Sequence, residues 1–182
     1  MIIWLNGAFG AGKSTAAERL CQLLPDAYVY DPEQVGYFLW DIFPADLKRR
    51  DNFQHLPLWR EFNYKILKHI SENYNGVIVT PMTVYIRAYY DEIIGKLLAD
   101  GVEVKNFILT ASRQTLVGRL ARRGDDGGWG AQHIDQCLSA FAHDIPGHPI
   151  DTENKSIDGI CHEIINAAGT MTDNNEQIAD NK

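Results

Sequence analysis

Residues 7–14 read GAFGAGKS, a glycine, four residues and then Gly-Lys-Ser, and this spacing suits the capture of a polyphosphate. Gly7 and Gly12 let the backbone turn so that N–H groups of Gly7, Ala8, Phe9, Gly10, Ala11, Gly12, Lys13, Ser14 and Thr15 converge on anionic oxygens. The Lys13 ammonium would reach the β- and γ-phosphates of a nucleoside triphosphate, and the Ser14 hydroxyl would ligate a magnesium ion. ATP and Mg²⁺ are therefore expected. Kinases, switches and motors all use this grip, so the rest of the chemistry must come from downstream residues.

Asp31, in YVYDPEQVG, stands at the carboxyl end of a strand pattern, where ligands of open parallel sheets collect. Its carboxylate would take a proton from a substrate hydroxyl and help hold Mg²⁺, or would cap the helix that Pro32 begins; both roles stay open. Glu33 is a weaker candidate, since acids suit a first helical turn for dipole reasons alone. Arg119, Arg122 and Arg123 gather just before GDDGGWG. Arginines stabilise a helix C-terminus in any case, but the sharper reading is a glycine-rich lid that carries Arg119 and Arg123 onto a transferring phosphoryl group, with Asp125 and Asp126 pairing with them when it is open. Most rings of the aromatic stretches belong to the core. Tyr37, Trp40, Trp59, Met82 and Tyr85, just past strand ends, are candidate walls of an acceptor pocket for an amphiphilic or nucleoside-like molecule. Arg60 and Arg87 are anion contacts there or solvated charges.

The elements that must position these groups alternate. IIWLN, AYVYD, GVIVTP, VKNFILT and HPID read as strands, and stripes at helical spacing fall between them. One is Phe62, Ile66, Leu67 and Ile70; others are Tyr89, Ile93, Ile94, Leu97 and Leu98, then Leu116, Val117 and Leu120, and finally Ile157, Ile160, Cys161, Ile164 and Ile165 behind a Ser156 cap. This is an α/β pattern. The 182 residues, 45% of them hydrophobic, suit a single domain over 1–168 with a lid at about 119–133 and a disordered polar tail over 169–182. A net charge of −7 disfavours a nucleic-acid partner. Three cysteines without metal-type spacing read as reduced thiols on helix faces, and the six histidines do not cluster. MIIWL is too short and lacks the basic leader of a signal segment, and no apolar run nears the ~20 residues of a membrane span, so a cytoplasmic protein without membrane insertion is expected.

MIIWLNGAFGAGKST, YVYDPEQVG, PLWREFNY, VTPMT and IDTENKSI together resemble the tunicamycin-resistance P-loop proteins, from Met1 to about Ala168. More distantly the layout is similar to shikimate, gluconate, chloramphenicol and nucleoside monophosphate kinases. The resemblance implies a three-layer P-loop kinase-like fold with a five-stranded parallel sheet in order 2-3-1-4-5 and a helical, arginine-bearing lid. It puts Asp31 where those kinases keep a catalytic aspartate, Arg119 and Arg123 where they keep lid arginines, and DTENKS where they hold adenine. One departure is VTPM, which ends the third strand without an acid and leaves Mg²⁺ to Ser14, water and Asp31. The longer C-terminal ends known in the family contrast with the polar, acidic end here. The implied activity is phosphoryl transfer from ATP to a small-molecule acceptor, tunicamycin or a related compound, by a monomer or homodimer. A binder that sequesters the antibiotic and a metabolic nucleoside or sugar kinase are the alternatives.

Overall fold

The computed structural model describes residues 1–48, 52–125 and 127–170. Its frame is five parallel strands, β1 (Ile2–Gly7), β2 (Ala27–Val29), β3 (Val77–Pro81), β4 (Val104–Thr110) and β5 (His148–Asp151), in spatial order β2-β3-β1-β4-β5. In the centre Ile2 lies opposite Ile78 on β3 and Val104 on β4. β1 is buried along its whole length because helices cover both faces of the sheet. Alternate residues point to opposite layers. Ile3 and Leu5 join one core with Ala16, Leu20, Leu116, Cys137 and Ile164, while Ile2 and Trp4 join the other with Leu39, Trp59, Leu67 and Ile93.

Helix α1 (Lys13–Leu23) follows β1; α2 (Glu33–Ile42) and α3 (Pro57–Asn73) follow β2. After β3 come α4 (Arg87–Tyr90), a wider π turn over Asp91–Gly95 and α5 (Lys96–Ala99). α6 (Arg113–Arg122), α7 (Trp129–Gln132) and α8 (Ile134–His143) lie between β4 and β5, and α9 (Ile157–Ala168) closes the order. All five expected strands form, the second reduced to three residues. Ser156 caps α9, its hydroxyl accepting from Gly159 N at 3.2 Å.

Some expected core positions are corrected. Leu98 is 46% and Val117 37% exposed: the π turn advances the register of the stripe from Tyr89 to Leu98, so Ile93, Ile94 and Leu97 point inward and Leu98 outward. On α6, Leu116 and Leu120, one turn apart, are enough to fill the interface, leaving Val117 beside it. All three cysteines are free thiols; Cys137 and Cys161 are buried, and Cys21 is only half-buried. The expected tail residues 171–182, and Asp126 of the lid loop, lie outside the described residues.

Candidate active site

The turn from β1 into α1 crosses the carboxyl end of the central strand, and three glycines shape it. Gly7, Gly10 and Gly12 have φ of 136°, 85° and 96°, conformations that favour glycine. At Gly7 a Cβ would also stand 2.5 Å from Leu109 O, and at Gly10 2.8 Å from Leu116 O, so β4 and α6 can approach the loop only because these side chains are missing. Lys13 Nζ donates to Gly7 O at 3.0 Å and Ala8 O at 3.1 Å. Burial pulls its pKa down to about 8; the nearby Cys137 and Glu33 oppose that, and Arg123 adds to it.

The end of β3 is tied to this turn. Asn6 Nδ2 donates to Val84 O at 3.1 Å, and Asn6 Oδ1 accepts from both Gly7 N and Val84 N. Thr83 Oγ1 donates to Gly7 O at 2.9 Å. The strap Met82–Val84 therefore forms a wall facing the phosphate loop. Between them lies a cavity of about 190 Å³, lined by Phe9, Gly10, Gly12, Lys13, Ser14 and Thr15 on one side and by Glu33, Met82, Thr83 and Arg123 on the other. A second cavity of about 180 Å³ shares Gly12 and Thr15 with the first and is bounded by Ala11, Arg119 and Lys155.

The expected aspartate is not the acid in the first cavity. Asp31 Oδ1 accepts from Glu33 N at 2.9 Å and Oδ2 from Gln34 Nε2 at 3.2 Å, so its carboxylate caps α2. Glu33 lines the cavity instead. Val35 and Leu39 turn into the core and fix the rotation of α2, which sends Glu33 and Tyr37, one turn apart, to the open face. Burial first, and then the Asp31 charge, raise the Glu33 pKa; a bond from Tyr37 Oη at 3.3 Å and the Lys13 charge work against the rise.

The two lid arginines diverge. Arg123 reaches the phosphate cavity, whereas Arg119 lies in the second one, where Nη1 donates to Thr152 Oγ1 at 2.9 Å and Nη2 to Thr152 O at 2.8 Å. Thr152 belongs to the DTENKS loop, so the guanidinium plane is held beside that loop. Helix α7 rests on the phosphate loop: the Trp129 ring meets Phe9 edge-on at 5.1 Å and stacks on His133 at 4.1 Å.

Of the expected acceptor walls, Met82 lines the cavity; Tyr37 is 46% exposed on the open face of α2, and Trp40 and Tyr85 are half-buried. Trp59 and Arg60 are corrected to structural residues. Trp59 is 0% exposed and donates from Nε1 to Pro32 O at 3.0 Å, pinning the start of α2 to α3. Arg60 donates to Glu92 Oε2 at 2.7 Å and Gln54 O at 2.5 Å and lies over the Tyr89 ring at 4.2 Å. Arg87 forms an exposed ion pair with Asp91 at 2.9 Å. Sequence reasoning did not single out Asn6 and Thr83, whose role comes only through contacts distant in sequence, and it named Thr152 only as part of DTENKS.

For a magnesium ion, the Ser14 hydroxyl and the Glu33 carboxylate are oxygen donors among the residues lining the cavity. That set fits an ion that keeps several waters and takes further oxygens from phosphates. Asp31 does not line this cavity, and its oxygens are engaged with Glu33 N and Gln34 Nε2. No cluster of three acidic, histidine or cysteine ligands exists among the described residues.

The family model described as AAA domain matches residues 2–143. The chain belongs to that family. No curated protein sequence matches it. Among solved structures it is similar to the tunicamycin resistance protein of Deinococcus radiodurans, with TM-score 0.80 and 25% identity over 94% of this chain and 96% of that one. It is also similar to a sugar kinase from Janibacter sp. (TM-score 0.63, 15% identity, 91% and 92% covered) and a gluconokinase from Sinorhizobium meliloti (0.58, 17%, 92% and 90%). The fold is that of the P-loop kinases, and the expected strand order is the observed one. No helix among the described residues is long and apolar enough to cross a membrane.

Proposed function

We propose that this AAA domain protein is an ATP-dependent phosphotransferase acting on an alcohol group of a small molecule. The observation that carries this reading is Glu33: a half-buried carboxylate of raised pKa shares one cavity with Lys13, Ser14 and Arg123. Glu33 takes the proton from the acceptor hydroxyl as its oxygen bonds to the γ-phosphorus and the bond to the bridging β–γ oxygen breaks, releasing ADP. Lys13 and Arg123 balance the charge that shifts onto the phosphoryl and bridging oxygens. Arg119 and the DTENKS loop hold the base of ATP. Ser14 would hold Mg²⁺, whose charge offsets that of the phosphates.

Similarity to the Deinococcus radiodurans tunicamycin resistance protein supports tunicamycin or a related nucleoside-sugar compound as acceptor, and antibiotic resistance as the outcome. In this reading residues 1–168 are one domain with a lid at about 119–133, acting in the cytoplasm as a monomer or homodimer without nucleic acid. Incubation with Mg²⁺, γ-labelled ATP and tunicamycin should move label to the antibiotic. A second reading, ATP-dependent sequestration, draws on β3, which ends Thr80-Pro81 without an acid and leaves the buried Thr80 hydroxyl without a partner among the described residues. Tight, ATP-dependent tunicamycin binding with no ADP formed would select it.

A further inference from the structure

Among the described residues, three buried side-chain polar atoms without a hydrogen-bond partner belong to residues that flank or touch Phe53: Trp40 Nε1, Asn52 Nδ2 and Gln54 Oε1. Asn52 and Gln54 are 6% and 2% exposed, and the other ends of both side-chain amides are engaged. Asn52 Oδ1 accepts from Gln54 N at 2.9 Å, and Gln54 Nε2 donates to Thr83 O at 2.9 Å. Neither amide can flip without losing a bond, so Asn52 offers a free donor and Gln54 a free acceptor. Between them Phe53 meets the Trp40 ring at 5.2 Å and the Tyr37 ring at 6.1 Å. Arg60 holds the segment from behind through Gln54 O. Buried polar groups in folded proteins are almost always paired, so three unpaired ones around a single phenyl ring point to something that completes them.

The region joins the phosphate cavity twice. Gln54 binds Thr83, which lines that cavity, and Tyr37, whose ring meets Phe53, donates to Glu33. Through Thr83 and Tyr37 the region is thus tied directly to residues of the cavity that Glu33 lines.

We propose that Trp40, Asn52 and Gln54 form the recognition end of the acceptor site and read a cyclic imide edge, as on a pyrimidine-dione ring. The protein presents two donors and one acceptor; an imide answers with two acceptors and one donor on a single edge, and its flat ring suits the faces of Tyr37, Trp40 and Phe53. Tyr37, exposed and tethered to Glu33 by a 3.3 Å bond, swings aside to admit the ring. This inference rests on the phosphotransferase reading and deepens it by naming the acceptor's class.

The decisive variant is Trp40→Phe, because Trp40 Nε1 has no partner among the described residues to lose. Calorimetry on protein saturated with a non-hydrolysable ATP analogue uses uridine and N3-methyluridine as probes. Uridine should bind, and N3-methyluridine, lacking the imide proton, about tenfold or more weakly, the scale of one lost hydrogen bond. Trp40→Phe and Gln54→Leu should each weaken uridine about tenfold while ATP-analogue affinity holds. Absence of uridine binding, equal binding of the two probes, or unchanged uridine affinity in folded Trp40→Phe overturns the inference. Tunicamycin phosphorylation that continues with an unchanged KM in Trp40→Phe sinks the inference and leaves the phosphotransferase standing. Uridine binding of the expected pattern in a protein that transfers no phosphoryl group supports the site and sinks the phosphotransferase.

Discussion

Replacing Glu33 by Gln isolates the proposed proton transfer. The amide keeps the shape of the side chain and still accepts from Tyr37, which donates to Glu33 Oε2, but it cannot take a proton. Loss of a general base lowers turnover by about 10²–10⁴, roughly 2.7–5.4 kcal/mol of barrier. Affinity for ATP measured without Mg²⁺ should hold or tighten, since a negative charge facing the phosphate cavity is removed. Burial and Asp31 lift the Glu33 pKa, so activity should rise with pH through a midpoint above the ordinary glutamate value as Glu33 deprotonates. That acid limb should disappear in Glu33→Gln. The companion change, Asp31→Ala, removes a cap and should cost about 0.5–2 kcal/mol of stability with turnover largely kept. In a chain of this size each kcal/mol lowers Tm by about 2–4 °C. Steady-state kinetics with the labelled-ATP assay and thermal melts of both variants decide the matter. Near-normal turnover in Glu33→Gln, with a hundredfold or greater loss in Asp31→Asn, would refute the assignment and return the base to Asp31.

Two further outcomes follow from the same geometry. Lys13, drawn down to about 8, should lose its proton in the nucleotide-free protein above that pH, and the phosphates should restore it. ATP binding is then accompanied by proton uptake, with Kd rising up to about tenfold per pH unit above 8, measured by calorimetry in buffers of different ionisation enthalpy; a flat profile to pH 9.5 rules this out. Trp59→Phe keeps a ring in the core but strips the donor from Pro32 O, and should cost about 1–3 kcal/mol in chemical denaturation without raising KM for the acceptor. A raised KM with unchanged stability would restore Trp59 to the acceptor pocket.

The phosphate loop was legible because everything that makes it lies within a few neighbouring residues. Glycines at 7 and 12, a buried strand before them and a helix after them dictate the turn with no help from distant parts. The alternating strands were legible for the same local reason, and the order of the sheet came from resemblance to whole families. The choice between Asp31 and Glu33 was not legible, since two residues of separation at a strand–helix junction leave both acids equally near the site. Packing of Val35 and Leu39 into the core sets the rotation of α2, and that rotation turns Glu33 to the cavity and gives the Asp31 oxygens to the helix amides. Arg119 and Arg123 likewise share a helix face in sequence yet serve different cavities, because Thr152, on a loop 33 residues away, binds one of them. Local spacing determines which groups are present and how the chain turns beneath them; only the packing of distant segments determines which of those groups faces the phosphate and which one supports the frame.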